Sequence, residues 1–406
     1  MSTALPSHFP SHHRESLRGE RLPAVLVDLD AFDRNVRHVA ATVRAAGGAR
    51  IRPATKSLRV PALLRRIAAA DPIYQGWMTF SAAETRALWQ DGLDDFLLAY
   101  PTVQPGDLAD LRAVHDGGGR VALVVDSAEG LRAASQAMAG AESPLRVVAD
   151  VDMSVRALGG AVHLGVRRSP LRSVDDVRRL FTLAGDLPGV SMVGWMGYDA
   201  QLAGLQDANP FHRAMNLAAR AVRAVSRSRV RAQRQALSEA LTRDGYRVEI
   251  ANGGGSGSID HAPREPWLTE VTAGSGFLGP HLFDYFTNVR FEPAFFVALQ
   301  VVRASDGGYV TCQGGGYVAS GTPGWDKLPL PWWPAGARLV AAEGVGEVQT
   351  PLRLPAGAGV ALGDAVLLRH AKGGELAERF NEYLLVHEGR ATERAATYRG
   401  RGWCFG

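Results

Sequence analysis

Apolar positions along the chain fall into two textures. Between Ala24 and about residue 285, short apolar runs recur between segments whose apolar residues sit at helical spacing. The first run, Ala24-Val-Leu-Val-Asp-Leu-Asp30, leads into a helix marked by Phe32, Val36, Val39 and Val43. Asp30 is its expected N-cap, and Gly47-Gly48 ends it. Further strand-like runs follow at 50–54, 73–80, 95–100, 121–125, 145–151, 191–196, 247–251 and 269–273. Helical patterns lie between most of them, for example at 60–70, 82–91, 131–139, 174–184 and 211–243. Buried strands alternating with helices predict a parallel sheet. Eight such units over roughly 250 residues predict an α/β fold of the (β/α)8 TIM-like barrel type, with an open doubly wound sheet as the competitor.

After about residue 285 the pattern shifts to short strands at 295–303, 308–313, 337–342, 360–362 and 365–369, separated by Gly, Pro and Asp turns. One helix is expected, at 375–382. This is a C-terminal antiparallel β-domain. The domain reading is a flexible tail over 1–22, a barrel over 23–290 and the β-domain over 291–406. The strand at 24–30 precedes the eight and is available to join the β-domain.

Composition narrows the function. Apolar residues at 46% and charged residues at 21% describe a globular chain. A net charge of +4 without a basic run disfavours nucleic-acid binding. No stretch approaches the ~18 apolar residues of a membrane span. Cys312 and Cys404 are too few for a disulfide framework, so a cytoplasmic location is expected. Basic residues are almost all arginine: only Lys56, Lys327 and Lys372 are lysine. Arginine is not deprotonated in proteins, so any amine chemistry has three candidates.

Barrel enzymes place their chemistry at the carboxyl ends of the strands, often with a phosphate site after the last two. Lys56 falls just past the first of the eight strands. Asn252-Gly-Gly-Gly-Ser-Gly-Ser258 and Gly274-Ser-Gly276 fall past the seventh and eighth. Loops of this kind offer backbone N–H groups and hydroxyls to an anion. An amine and an anion cradle at one mouth suit pyridoxal 5′-phosphate (PLP). The same loop fails as a dinucleotide fingerprint, because Ser258 replaces the third glycine and prolines follow where a helix should open.

These segments resemble the fold-type III PLP enzymes, the group containing alanine racemase. The likeness is to their D-threonine aldolase and D-serine dehydratase-like branch, and within it to bacterial amino acid deaminase/aldolase proteins. It is carried by Val27-Asp-Leu-Asp30, Arg52-Pro-Ala-Thr-Lys56, Gly197-Tyr-Asp-Ala-Gln201, Gly253-Gly-Gly-Ser-Gly-Ser258 and Thr269-Glu-Val-Thr-Ala-Gly-Ser-Gly276. In the second domain, Gly346-Glu-Val-Gln-Thr-Pro351 and Arg369-His-Ala-Lys-Gly-Gly-Glu-Leu376 also match. The resemblance implies Lys56 as the Schiff-base lysine. It implies Gly255, Ser256, Gly257, Ser275 and Gly276 as phosphate ligands, Tyr198 beside the cofactor ring, and Gln201 in the same pocket. It further implies a homodimer acting on a small amino acid and an aldehyde.

Two departures stand out. The branch carries a histidine followed two residues later by Cys or Asp, together binding a divalent metal; here the triplet is His370-Ala371-Lys372. A charged ammonium has no lone pair, which makes the metal doubtful and leaves His370 as the only candidate ligand. Lys372 then stands where the metal charge would be, with His370 as base or orienter; the alternative is a surface pair with Glu375 or Glu378. The second departure is at an Arg-x-Gly-Val motif whose arginine serves the cofactor's phenolic oxygen. Here His163 takes that place, with Arg156 and Arg168 nearby. Trp77, Met78, Phe80 and Trp195 are candidates for an apolar side-chain pocket. The expected activity is retro-aldol cleavage of a β-hydroxy-α-amino acid. Dehydration with deamination, racemisation, and a non-catalytic PLP-binding role are the alternatives.

Overall fold

The computed structural model describes residues 16–157 and 162–405. Strand β1 (Ala24–Asp28) runs into helix α1 (Leu29–Ala46). The N-cap is Asp28, not Asp30: the Asp28 carboxylate accepts from the Ala31 N–H at 2.9 Å. The helix starts early because Leu29 is buried. Asp30, in the first turn, instead accepts from the Glu388 N–H and pairs with His387.

All eight expected barrel strands form. They are β2 (Arg50–Pro53), β3 (Trp77–Thr79), β4 (Phe96–Leu98), β5 (Val121–Val125) and β6 (Leu145–Asp150). After a two-stranded ribbon of β7 (Val155–Ala157) and β8 (Val162–Leu164) come β9 (Val190–Gly197), β10 (Ile250–Gly253) and β11 (Glu270–Ala273). The order is β2-β11-β10-β9-β6-β5-β4-β3, all parallel, and bridges Ile51↔Tyr74 and Ala54↔Met78 draw the two ends together. A barrel and not an open sheet is therefore the result. Helices α2 (Pro61–Ala70), α3 (Ala82–Gln90), α4 (Pro105–Asp116), α5 (Ala128–Ala137) and α6 (Val174–Gly185) connect the strands, followed by the short α7 (Ala200–Ala203) and the long α8 (Asn216–Arg243).

The second domain is built around β12 (Phe295–Ser305). With it come β13 (Tyr309–Gln313), β14 (Leu330–Trp333), β15 (Arg338–Leu339), β16 (Gln349–Arg353), β17 (Ala365–Arg369), β18 (Glu382–His387) and β19 (Arg390–Ala396). Strand β1 lies inside this sheet, antiparallel to β12 and parallel to β18, so both ends of the chain contribute to it. The run at 360–362 forms no strand: Leu362 is exposed and the segment turns into β17. The helix expected at 375–382 is a single 3-10 turn, Glu375–Glu378, because Tyr383–Val386 bury themselves in β18 beside β1. Residues 1–15 of the expected tail lie outside the described residues. Its end is not loose: Leu17 is buried in a cluster with Phe296 and Leu384, and the half-buried Leu22 packs against that cluster. Among the described residues, no helix is long and apolar enough to cross a membrane.

Charges inside the barrel are paired. Arg52, 1% exposed, donates from Nε and Nη2 to the Glu270 carboxylate at 2.8 and 2.9 Å and from Nη1 to the Asp95 carbonyl at 2.7 Å. Asn252 adds a bond to the same carboxylate at 2.9 Å. One buried carboxyl is less well served. Glu84 accepts from the Phe80 N–H and the Tyr398 hydroxyl, yet burial pushes it up to about 7 from 4.5. Between those values the folded chain keeps a proton that the unfolded chain has lost, so stability falls as pH rises through that window. The fall expected is about 3 kcal/mol. In Glu84→Gln this slope should be smaller by about that amount when urea unfolding is compared at pH 5 and pH 7.5. An unchanged slope would assign it to other groups.

Candidate active site

Lys56 sits on a 3-10 turn, Thr55–Ser57, at the carboxyl end of β2. The turn is fixed on three sides. The Ala54 N–H donates to the Ala273 carbonyl at 2.8 Å, and the Thr55 hydroxyl to the Met78 carbonyl at 2.9 Å. From the β-domain, Gly373-Gly374 lies directly on the turn. A Cβ at Gly374 would stand 2.1 Å from the Lys56 carbonyl oxygen, and Gly374 has φ +84°, so a side chain there is excluded twice over. Lys56 opens into a cavity of about 1030 Å³, and its Nζ donates to the Tyr100 hydroxyl at 2.6 Å.

The two Gly/Ser loops reach the same cavity. Gly255, Ser256 and Ser275 line it together with Lys56. The N–H groups of Gly274 and Gly276 converge on one point, which the Ser256 hydroxyl oxygen occupies at 3.0 and 3.1 Å. Ser275 Oγ donates to Ser57 Oγ at 3.2 Å, joining the cradle to the lysine turn. Gly257 and Gly276 are not on the cavity wall. Gly257 packs backbone to backbone, where a Cβ would meet the Ala203 carbonyl oxygen at 2.3 Å; Gly276 contributes its N–H.

Tyr198 lines the cavity and its phenol is pushed up to about 12, by burial first and by Asp199 second. The Arg168 guanidinium lies 5.8 Å from the centre of its ring. Arg168 also faces Asp150, whose carboxyl is raised to about 7 by burial and by Asp126, against the pull of Arg168. All three line the cavity. Thus the cation at this wall is Arg168. His163 does not reach the wall; it stands opposite Arg156 on the β7–β8 ribbon, with Nε2 3.1 Å from the Val166 carbonyl. Arg156 also misses the cavity and its guanidinium is 3.9 Å from the Asp152 carboxylate. Gln201 is spent on structure: buried, it donates from Nε2 to the Met153 carbonyl at 2.7 Å. Of the four candidates for an apolar pocket, Met78 alone lines the cavity, while Trp195 is fully buried.

From the β-domain, Lys372 lines the cavity, donating to the Ser320 hydroxyl at 2.7 Å with Glu375 3.5 Å away. His370 lies behind it, 1% exposed and off the wall. Its Nδ1 is 2.6 Å from the Lys372 carbonyl, and burial lowers its pKa. A neutral, turned-away imidazole is poorly placed as the base that the sequence suggested.

Tyr100, Asp126, Asp150 and Ser320 were absent from the sequence-derived set, and Glu375 entered it only as a surface partner of Lys372, a pair that forms at 3.5 Å. The first three carry a usable signal, a polar residue at the carboxyl end of a buried strand. Ser320 reaches the site only through long-range packing. The assembled wall fits PLP: an amine, an anion cradle of N–H groups and hydroxyls, an aromatic face, and room for a second small molecule. It does not fit a divalent metal at the His370 triplet, where an ammonium is committed to Ser320 and Glu375 and the imidazole faces its own backbone. Among the described residues, no three His, Cys, Asp or Glu groups converge to hold an ion.

The D-threonine aldolase of Arthrobacter sp is 26% identical over 305 residues, which span 74% of this chain and 72% of that protein. The crystal structure of D-threonine aldolase from Filomicrobium marinum superposes with a TM-score of 0.79 at 21% identity, covering 94% of this chain and 96% of that one. D-threo-3-hydroxyaspartate dehydratase from Delftia sp. HT23 gives 0.71 at 19% identity over 94% of this chain and 98% of the other. At such identities the structural likenesses speak for the fold, a barrel followed by a β-domain. The family model for the alanine racemase N-terminal domain matches residues 27–280, well over half of the chain, and the chain belongs to that family.

Proposed function

We propose that the chain is a PLP-dependent lyase that cleaves β-hydroxy-α-amino acids to an aldehyde and a smaller amino acid, by a reversible retro-aldol reaction. The observation that carries this is the meeting, in one cavity, of Lys56, the paired N–H groups of Gly274 and Gly276, and a β-domain ammonium, Lys372. Lys56 is the amine to which the cofactor would be joined. Its phosphate would be held by the Gly/Ser loops, through Gly255, Ser256 and Ser275 and the N–H groups of Gly274 and Gly276. Bound there, the cofactor supplies an electron sink that stabilises negative charge at the substrate Cα.

The protein's own groups do the rest. Tyr198, held neutral by burial, presents an aromatic face, and Arg168 above it places a positive charge beside that face. Tyr100 holds the Lys56 amine by a 2.6 Å bond and so directs it into the cavity. The β-domain closes the mouth with Lys372, whose positive charge suits an oxygen gaining negative charge. That arrangement favours cleavage without a metal over loss of hydroxide, which needs a stronger acid at the leaving group. We further propose a homodimer, supported by the exposed Leu217 and Val225 on α8 and Met215 just before it, and a cytoplasmic location, supported by two cysteines that form no disulfide.

Incubation with D- and L-β-hydroxy amino acids, scoring aldehyde, keto acid and enantiomer together, tests the reaction. Aldehyde with glycine is the expected outcome, undiminished after EDTA treatment. Keto acid with ammonia would make the enzyme a dehydratase, and inverted substrate alone would make it a racemase.

A further inference from the structure

We propose that Lys372, Ser320 and Glu375 form the group that holds the β-hydroxyl of the substrate and removes its proton; this rests on the lyase reading above. The three side chains come from two β-domain segments and all line the cavity that contains Lys56. Lys372 Nζ donates to Ser320 Oγ at 2.7 Å. Ser320 Oγ donates in turn to Glu375 Oε1 at 2.6 Å, while the Ser320 N–H donates to Oε2 at 2.9 Å.

A serine hydroxyl has one proton and two lone pairs. At Ser320 the proton is committed to Glu375 and one lone pair to Lys372, which leaves one lone pair for an incoming O–H. The ammonium has three N–H donors. Ser320 engages one, and Glu375 lies 3.5 Å away as an ion-pair partner, so an N–H remains open to the same substrate oxygen. Burial disfavours charge on Glu375, but the Ser320 bonds and the Lys372 charge outweigh it and hold the carboxyl below its usual range. Glu375 is therefore ionised and able to accept a proton. The trio is held in register with the lysine turn by the close approach of Gly373-Gly374.

The substrate hydroxyl gives its proton to Ser320 Oγ as Ser320 passes its own to Glu375. The oxygen electrons form the carbonyl of the aldehyde as the Cα–Cβ bond breaks, and that bond's electron pair stays with Cα. Cα takes up one proton and Glu375 gives up the one it gained, which completes glycine and restores the group with no oxidant or reductant. Lys372 and Ser320 are catalytic residues in this scheme, and Glu375 acts through Ser320.

The test compares two reactions of the holoenzyme. One is aldehyde release from β-phenylserine. The other is exchange of the glycine α-proton in D2O, which requires the cofactor and Lys56 but has no β-oxygen. In Lys372→Met and Ser320→Ala, the ratio of cleavage to exchange should fall at least about 100-fold, the scale of positioned acid–base catalysis. Because exchange reports a folded, loaded site, a misfolded variant cannot produce that result. A ratio unchanged in both variants overturns the assignment and leaves the lyase reading standing. A wild type that neither cleaves nor exchanges overturns both.

Discussion

Lys56→Ala should lower turnover by at least ~10³-fold, since it removes both the covalent anchor and a proton-transferring amine. The variant should also fail to acquire the visible absorbance of a protein-bound imine when PLP is added, while keeping the circular dichroism of the wild type. The physical reason is the lack of a substitute. The chain has only two other lysines: Lys327 is paired to Asp326 away from the cavity wall, and Lys372 is engaged by Ser320 and Glu375. Arginines line the cavity at Arg59 and Arg168, but their guanidinium groups cannot act as free amines. A variant that kept more than a tenth of wild-type turnover, about 1.4 kcal/mol in barrier, would remove Lys56 from the mechanism.

Arg234→Met should be the most damaging substitution among residues that never touch the cavity, costing about 3–5 kcal/mol of stability. Arg234 is fully buried on α8. It donates to the Gly197 carbonyl at 2.6 Å, to Asp199 at 3.0 Å and to Glu265 at 3.0 Å. Removing it strands two carboxylates, Asp199 being fully buried as well. The same guanidinium backs Gly253 at the root of the phosphate loop, where a Cβ would meet it at 2.7 Å. The variant should therefore also bind PLP more weakly than its folded fraction explains. Urea unfolding and PLP titration at a temperature where the variant is folded measure the two effects. A loss below about 1 kcal/mol would place this network with exposed ion pairs in strength.

The barrel was legible because its strands are continuous apolar runs buried on both faces, such as Val121–Val125, whose five residues are all buried. The lysine and the anion loops were legible because they lie within a few residues of strand ends. Asp28 was missed as a cap because Leu29 and Asp30 read as a continuing strand. Arg223 and Arg234 were unreadable: they occupy the buried stripe of α8, at spacings an apolar residue would take, and their partners lie far off in sequence. The shift from His163 to Arg168 at the Tyr198 wall depends on the β7–β8 ribbon, which carries His163 out of the cavity. Local pattern contains neither fact. The role of Glu375 was hidden for the same reason, since Ser320 reaches it from 55 residues away.

Borohydride reduction of the PLP-loaded protein, followed by digestion and mass spectrometry, locates the lysine that carries the cofactor. A single phosphopyridoxyl group on the peptide containing Lys56 is the predicted result. Label on Lys327 or Lys372 instead, or no label after loading, would contradict it.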